Sequence, residues 1–275
     1  MADNLIIAKN VEEAVALKDG SSLFLAGGTE VNRLDSPCCA STLISLGRMG
    51  LDGLSVCEET VDCCKGPKKG RFLKLGAMCT FQELIDCEDV PQFLKEACRF
   101  MSSRTKRNMA TIGGNIGAAR DDSYLIPTLI AASCAVELNC KGKKHVYGIG
   151  RYLKEKKDYP DSLIEAVLIP LNGAEVLSKR YANTAASHAA VTVSVSLLDG
   201  KVRVGAAVKN AGVRRLVEFE ELINAGKGTE EELIKAAYGL DMPISDDMFG
   251  SEKYKRYILG VTVSDLVKKA QGGKK

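Results

Sequence analysis

Two glycine pairs carry the strongest chemical signal in this chain. Gly27-Gly28-Thr29-Glu30-Val31 follows an apolar run, and Thr111-Ile112-Gly113-Gly114-Asn115 lies far downstream. Residues without a Cβ let the backbone approach a ligand closely and turn its N–H groups toward it, which favours an anion. A helix beginning at such a loop adds the positive end of its dipole. Arg104, Lys106 and Arg107 precede the second pair; Gly117, Ala118 and Ala119 follow it, then Asp121-Asp122-Ser123. Neither pair has the G-x-G-x-x-G spacing of a dinucleotide fold or the G-x-x-x-x-G-K-S/T spacing of a P-loop. Two nests closing on one ligand suit a pyrophosphate; taken separately, they are two turns.

Acid–base machinery is sparse. His145 and His188 are the only histidines. His145, in a strand among lysines, is expected to be exposed, and His188, before an apolar strand, to be a satisfied polar group near the interior. Neither lies in a metal or nucleophile motif. Asp121-Asp122 reads either as a ligand contact or as a charge pair at a helix N-terminus, and Asp246-Asp247 as the latter. The ten cysteines include the vicinal pairs Cys38-Cys39 and Cys63-Cys64 but no C-x-x-C. They read as free thiols rather than ligands for zinc or an iron–sulfur cluster. No catalytic residue and no metal ligand is assigned. Nests without acid–base groups suggest a cofactor that brings its own reactivity.

The chain has 275 residues, 45% hydrophobic and 27% charged, with a net charge of +3. That length suits two domains, or one large domain with subdomains, and buries a core without disulfides. The charge is too small to imply a nucleic-acid partner, and the absence of Trp leaves few stacking surfaces. No apolar run approaches the roughly 18 residues of a membrane span. The start, Met1-Ala2-Asp3-Asn4, lacks a signal-peptide pattern, so a cytoplasmic location is expected.

The elements that must position the glycines are legible in outline. Residues 5–8 and 23–26 read as strands around a helix over 11–18 capped by Asn10, with Glu13 completing a capping box. A strand over 43–46 follows Pro37. Residues 54–57 and 71–75 read as hairpin partners, with 63–70 (Lys65, Lys68, Lys69) as a solvated loop. Thr80 and Glu83 open a short helix, and Pro91 the next, whose Phe93, Leu94, Ala97, Cys98 and Met101 form one apolar face. A helix is expected over 124–132, a strand pair over 135–140 and 145–148, a charged loop over 154–158 and a strand over 163–169. Asn172-Gly173 marks a boundary. Beyond it, strands over 176–179, 191–197 and 202–208, the last two flanking Asp199-Gly200, precede helices over 217–225, 229–238 and 251–269.

Leu25-Ala26-Gly27-Gly28-Thr29-Glu30-Val31, then Thr111-Ile112-Gly113-Gly114-Asn115-Ile116 with Pro127 downstream, resembles the FAD-binding subunit of the xanthine dehydrogenase (molybdenum hydroxylase) family. Gly250 to Arg256 looks like that family's C-terminal flavoprotein domain. Order and spacing match over nearly the whole chain, most like the separately encoded FAD subunits of bacterial purine hydroxylases. The resemblance implies an α+β fold. A two-subdomain FAD-binding region of the PCMH type would cover residues 1–172 (subdomains about 1–53 and 54–172), and a smaller α+β flavoprotein domain 173–275.

By the same resemblance FAD lies between the subdomains with its pyrophosphate against both loops. Leu25, Ala26, Gly27, Gly28, Thr29, Glu30 and Val31 supply one loop, and Thr111, Gly113, Gly114 and Asn115 the other. The Thr29 and Thr111 hydroxyls would bond phosphate or ribityl oxygens. Ile164 falls where the family places an apolar contact to the ring system, and Lys179 near a basic residue approaching the flavin or its phosphates. Met101 joins the candidate contacts at the helix end nearest the second glycine pair. Tyr124 stands where many members carry a cofactor-contacting Asp, leaving Ser123 or Asp122 to replace it. The implied function is electron transfer from an iron–sulfur subunit to NAD or another acceptor, while a molybdopterin-binding subunit hydroxylates a substrate such as a purine. The alternatives are a free-standing FAD oxidoreductase of the same fold, for which no general acid is evident, and a non-redox assembly module, against which the intact glycine pairs argue.

Overall fold

The computed structural model describes residues 2–33, 36, 39–63, 66–100, 103–184, 187–198 and 200–272. Pro37, Cys38, Cys64, Lys65, Met101, Ser102 and Asp199 lie outside the described residues. The fold is α+β. The chain divides into two units, Met1–Pro91 with Cys98–Ala118 and Ala135–Leu171, and Gln92–Ala97 with Ala119–Cys134 and Asn172–Lys275.

The first unit begins with β1 (Asn4–Ile7), α1 (Val11–Leu17), β2 (Ser22–Leu25) and β3 (Thr42–Ser45). Asn10 caps α1 by accepting the Glu13 N–H at 2.8 Å, but the Glu13 carboxylate returns to the N–H of Lys9, one residue earlier than a capping box requires. The strand–helix–strand crossover is present, with β3 seated between β1 and β2 and parallel to both. Ala14 and Val15 of α1 pack with Ile44 of β3, Leu46 and Leu163.

The same unit contains a closed barrel, which the sequence pattern did not predict. It is built from β4 (Leu54–Cys63), β5 (Gly66–Gly76), β6 (Ala135–Cys140), β7 (Lys143–Gly148) and β8 (Leu163–Pro170), in the order β4-β5-β8-β6-β7. The expected loop over 63–70 is therefore wrong: Lys68 and Lys69 lie in β5 opposite Val61 and Thr60. Lys68 and Lys69 are both exposed, so pairing leaves their charges in water, and Lys69 meets Glu58 at 3.0 Å. The expected loop over 154–158 is also helical: α7 (Ile149–Glu155) runs into a 3₁₀ turn, with Ile149 and Tyr152 buried. Val61, Phe72, Ala135 and Leu168 form an apolar cluster in the barrel.

On β6, the carboxylate of Glu137 is almost fully buried between Lys74 and Lys144, each at 2.8 Å, and Lys144 also meets Glu59 at 3.3 Å. Burial pushes the Glu137 pKa up, but hydrogen bonds from Lys144 and Lys74 outweigh it and hold the group below the ordinary carboxylate value. α2 (Phe81–Asp86) carries the expected capping box of Thr80 and Glu83. α3 (Gln92–Arg99) buries Leu94, Ala97 and Cys98; α4 (Arg104–Arg107) and α5 (Ile112–Ala118) follow.

The second unit holds α6 (Leu125–Ala131), β9 (Glu175–Ala182), β10 (Ala189–Leu198), β11 (Lys201–Val208), β12 (Gly212–Arg215), α8 (Val217–Asn224), α9 (Glu230–Tyr238) and α10 (Glu252–Gly272). Four antiparallel strands lie in the order β12-β11-β10-β9, one more than the largest number expected. Val193 and Val195 of β10 pack in the core with Leu259 and Val263 of α10. The intervening serines face α6: Ser196 donates to the Ala131 carbonyl at 2.6 Å, and the Thr128 hydroxyl lies 3.1 Å from that of Ser178 and 3.2 Å from that of Ser194. A methyl on Gly205 would fall 2.4 Å from the Pro127 carbonyl oxygen, so β11 receives the α6 backbone directly.

The segment before and within the start of α10 is structural. Ser251 accepts the Tyr254 N–H at 3.2 Å, and the fully buried Lys255 reaches the Ser245 carbonyl at 2.9 Å and Asp247 at 2.5 Å. Arg256 donates to the carbonyls of Ala237, Leu240 and Met242 at 2.9, 3.2 and 3.2 Å, satisfying the end of α9.

Arg256→Met is expected to lower unfolding free energy by about 3 kcal/mol in urea titrations, because three buried carbonyls lose a charged donor. Glu137 gives a pH test. A depressed folded pKa stabilises fully above the unfolded value of 4.5 and is lost as pH falls below it. Glu137→Gln should therefore cost about 1–3 kcal/mol at pH 7 and flatten the loss of stability between pH 5 and the acid transition.

Candidate cofactor site

The first glycine loop leaves the end of β2, where the Leu25 carbonyl accepts the Leu46 N–H at 3.0 Å. Gly28 then turns with φ +69°, a conformation suited to glycine. The turn closes when Asn32 donates to the Gly28 carbonyl at 3.0 Å, and Glu30 pairs with Arg33 at 3.1 Å. Gly27 is fixed by a neighbour rather than by its torsion. A methyl there would stand 1.6 Å from the Met109 carbonyl oxygen. Among the described residues, the N–H groups of Gly27, Gly28 and Thr29 find no protein acceptor. Three successive half-buried donors without a partner form a cradle for anionic oxygens.

The second pair does different work from the nest expected of it. Gly113 and Gly114 lie in the first turn of α5, not in a loop. The N–H groups of Ile112 and Gly113 donate to the carbonyls of Cys79 and Ala77 at 3.0 and 2.9 Å. Gly114 donates to the Thr111 hydroxyl at 3.1 Å and Asn115 to the Thr111 carbonyl at 3.0 Å. The first donors of the helix are consumed by the protein. The Thr111 hydroxyl accepts from Gly114 and keeps its own proton to give.

The glycines here serve packing. A methyl on Gly113 would fall 2.5 Å from the Ala77 Cβ, and one on Gly114 would fall 2.8 Å from the Thr111 hydroxyl and 3.5 Å from the Ala26 Cβ. Thus the two loops, distant in sequence, abut through Gly27 against Met109 and through Gly114 near Ala26. Ile164 of β8 is buried in the same unit, its Cδ1 4.0 Å from a methyl placed on Gly117 of α5.

The structure gathers residues 25–31, 111, 113–115 and 164 into the first unit, and places Ser123 and Lys179 in the second. Ser123, one residue before the N-cap of α6, accepts the Ile126 N–H at 3.1 Å. Lys179 on β9 lies 3.7 Å from Asp265, and its hydrogen bond with Tyr181 and its pairing with Asp265 push its pKa up. The guanidinium of Arg180 covers the Tyr124 ring at 4.4 Å, and burial raises the Tyr124 phenol pKa. Met101 lies outside the described residues.

Asp121 and Asp122 are not a helix N-terminal pair, because α6 begins at Leu125. Asp121 accepts from Lys209 and from the Asn210 N–H, both at 2.8 Å. Asp122 is held by Arg120 at 2.7 Å and lies 2.5 Å from Nδ1 of His188. Burial raises its pKa, but hydrogen bonding and charge from Arg120, with Lys209 and His188, lower it overall. His188 is 58% exposed at the side chain, against the interior position expected of it. Only the order of residues separated by sixty positions and more could have signalled this pair, and sequence pattern carries no such information. His145 is half-buried rather than exposed, stacked on Tyr147 at a ring separation of 5.7 Å. It lines an open groove of about 350 Å³ with Glu59, Asp62, Lys144 and Tyr147, none of them an expected cofactor contact.

The family described as "FAD binding domain in molybdopterin dehydrogenase" matches residues 2–172. The uncharacterized protein YgfM of Escherichia coli K12 is 29% identical over 274 residues, covering 97% of this chain and 95% of its own. Among solved structures, a reconstituted CO dehydrogenase from Oligotropha carboxidovorans superposes with a TM-score of 0.80 at 20% identity, covering 99% of this chain and 98% of that one. Quinoline 2-oxidoreductase of Pseudomonas putida 86 gives 0.76 at 16% identity with the same coverages. These likenesses show a shared fold.

The contact between the loops has its own test. Gly27→Ala should cost about 3 kcal/mol in unfolding free energy, since the methyl overlaps backbone. Gly53→Ala, where the added methyl meets open space, should change stability by less than about 0.5 kcal/mol.

Proposed function

The chain belongs to the FAD binding domains of molybdopterin dehydrogenases, and on that footing we propose that it is the electron-transfer subunit of a multi-subunit molybdenum hydroxylase. FAD is its cofactor, and the protein is an oxidoreductase subunit. The observation that carries the proposal is the bare cradle at Gly27-Gly28-Thr29, with three unpaired N–H donors walled by the Met109 carbonyl. A diphosphate matches that donor set. When bound, FAD supplies the redox chemistry, taking up two electrons and a proton.

This chain's residues bind and orient. Gly27, Gly28 and Thr29 would donate to one phosphate, and the Thr111 hydroxyl, its oxygen already engaged by Gly114, would donate its proton to the other or to the ribityl chain. Leu25, Ala26, Glu30, Val31, Gly113, Gly114 and Asn115 would shape the walls, and Ile164 would offer apolar surface to the rings. Ser123, Lys179 and Met101 remain candidates by the family resemblance alone. The partners would be an iron–sulfur subunit and a molybdopterin-binding subunit in the cytoplasm, and the acceptor NAD or another electron carrier. A purine substrate for the holoenzyme rests on the sequence resemblance; the similar structures are those of a CO and a quinoline oxidoreductase.

The purified chain should be yellow or take up added FAD. Gly28→Val and Gly114→Val should each weaken FAD binding at least about tenfold, roughly 1.4 kcal/mol, with an unchanged far-ultraviolet circular dichroism spectrum. Full retention of FAD in both would show that neither the first loop nor the start of α5 holds the cofactor. A colourless chain that takes up no FAD would point to an assembly module, and turnover of a reduced substrate without partners to a free-standing oxidoreductase.

A further inference from the structure

We propose that the α4 turn, Arg104 and Lys106 with the adjoining Met109, is the docking surface for an acidic electron-transfer protein. The proposal rests on the reading of the chain as a flavin-bearing electron-transfer subunit. From Ala97 to Arg120 the sequence has no Asp or Glu, yet it carries Arg99, Arg104, Lys106, Arg107 and Arg120. Arg104 and Lys106 are exposed, and among the described residues neither meets a carboxylate. Lys69, Lys74, Lys144 and Arg151 of the same unit, by contrast, each pair with an acid within 3.3 Å. A local excess of unneutralised charge attracts a partner of opposite sign and speeds its encounter.

The turn is rigidly held. Ser103 accepts the Lys106 N–H at 3.2 Å, and the N–H groups of Arg107, Asn108 and Ala110 bond back to Ser103, Arg104 and Lys106 at 3.0, 2.9 and 2.8 Å. Met109 follows with 47% of its surface exposed, an apolar centre beside the charges. Its carbonyl is the same atom that walls Gly27. The charged turn therefore stands about one helical turn, roughly 5 Å along the backbone, from the edge of the cradle. A partner seated there lies beside the cradle for the cofactor's diphosphate without entering the chain. Cations and a methionine on an exposed turn suit a protein surface better than a nicotinamide dinucleotide, which needs a concave apolar slot.

The test uses the FAD-loaded full chain and, as probe, a reduced acidic two-iron, two-sulfur ferredoxin. Each ferredoxin gives up one electron, so two oxidations and one proton accompany conversion of one FAD to FADH⁻. Bleaching of flavin absorbance is followed by stopped flow against ionic strength. The wild-type rate should fall steeply with salt. R104E/K106E should slow it at least about tenfold at low salt, R104Q/K106Q should lie between, and all three should converge at high salt. FAD content and circular dichroism should be unchanged. Equal rates at low salt in FAD-loaded variants would overturn the docking surface. Slower reduction by NADH with an unchanged ferredoxin rate would also overturn it, assigning the turn to a dinucleotide. A wild-type chain that takes up no FAD would overturn the underlying reading and this proposal with it.

Discussion

Everything in the first unit that faces the cradle depends on one approach of backbone to backbone. The carbonyl of Met109 occupies the space where any side chain at Gly27 would begin. This contact fixes the end of β2 against the segment leading into α5, two parts of the chain that fold with no local reason to meet. The Cys79 and Ala77 carbonyls then hold the α5 start by its first N–H groups, and Gly113 lets Ala77 sit against it. The result is a division of labour. One loop keeps its donors unspent, and the other spends its donors on the protein and contributes shape and a hydroxyl.

What was legible in the sequence was local. Asn10, Thr80, Thr229 and Ser251 mark helix starts because their side chains reach an N–H only three residues ahead. What was not legible depended on distant pairing. The barrel joins β5 to β8 and β6 to β8, and no periodicity in β5 announces β8. Lys68 and Lys69 read as loop residues because their charge was weighed without the neighbouring strand that pairs them. Gly113-Gly114 read as a turn because glycine costs a helix interior about 1 kcal/mol; Ala77 and the Thr111 hydroxyl crowd those positions nonetheless. Of the candidate site, the donor loop was readable from composition and order. The fate of the Ile112 and Gly113 N–H groups was not, since their acceptors lie more than thirty residues upstream.

Charge is used unevenly across the two units. In the barrel, Glu137 is buried only because Lys74 and Lys144 clasp it while keeping part of their own length in water. In the second unit, Lys255 is buried outright against Asp247, and Arg256 spends its guanidinium on carbonyls at the close of α9. Such residues look functional in a sequence, but their geometry is that of cross-ties. Arg104 and Lys106 are the contrasting case.

The route of the chain through the second unit carries a consequence for how the protein is divided. α6 comes from the middle of the stretch that matches the family, residues 2–172, yet all seven of its residues are buried, and its hydroxyls and carbonyls are engaged by Ser178, Ser194 and Ser196 of the later sheet. The unit of homology and the unit of folding therefore do not coincide. A gene fragment ending at residue 172 would carry an orphaned helix, and its complement would carry a sheet stripped of the lid that lies over Gly205. Shuffling between relatives must exchange both together or neither.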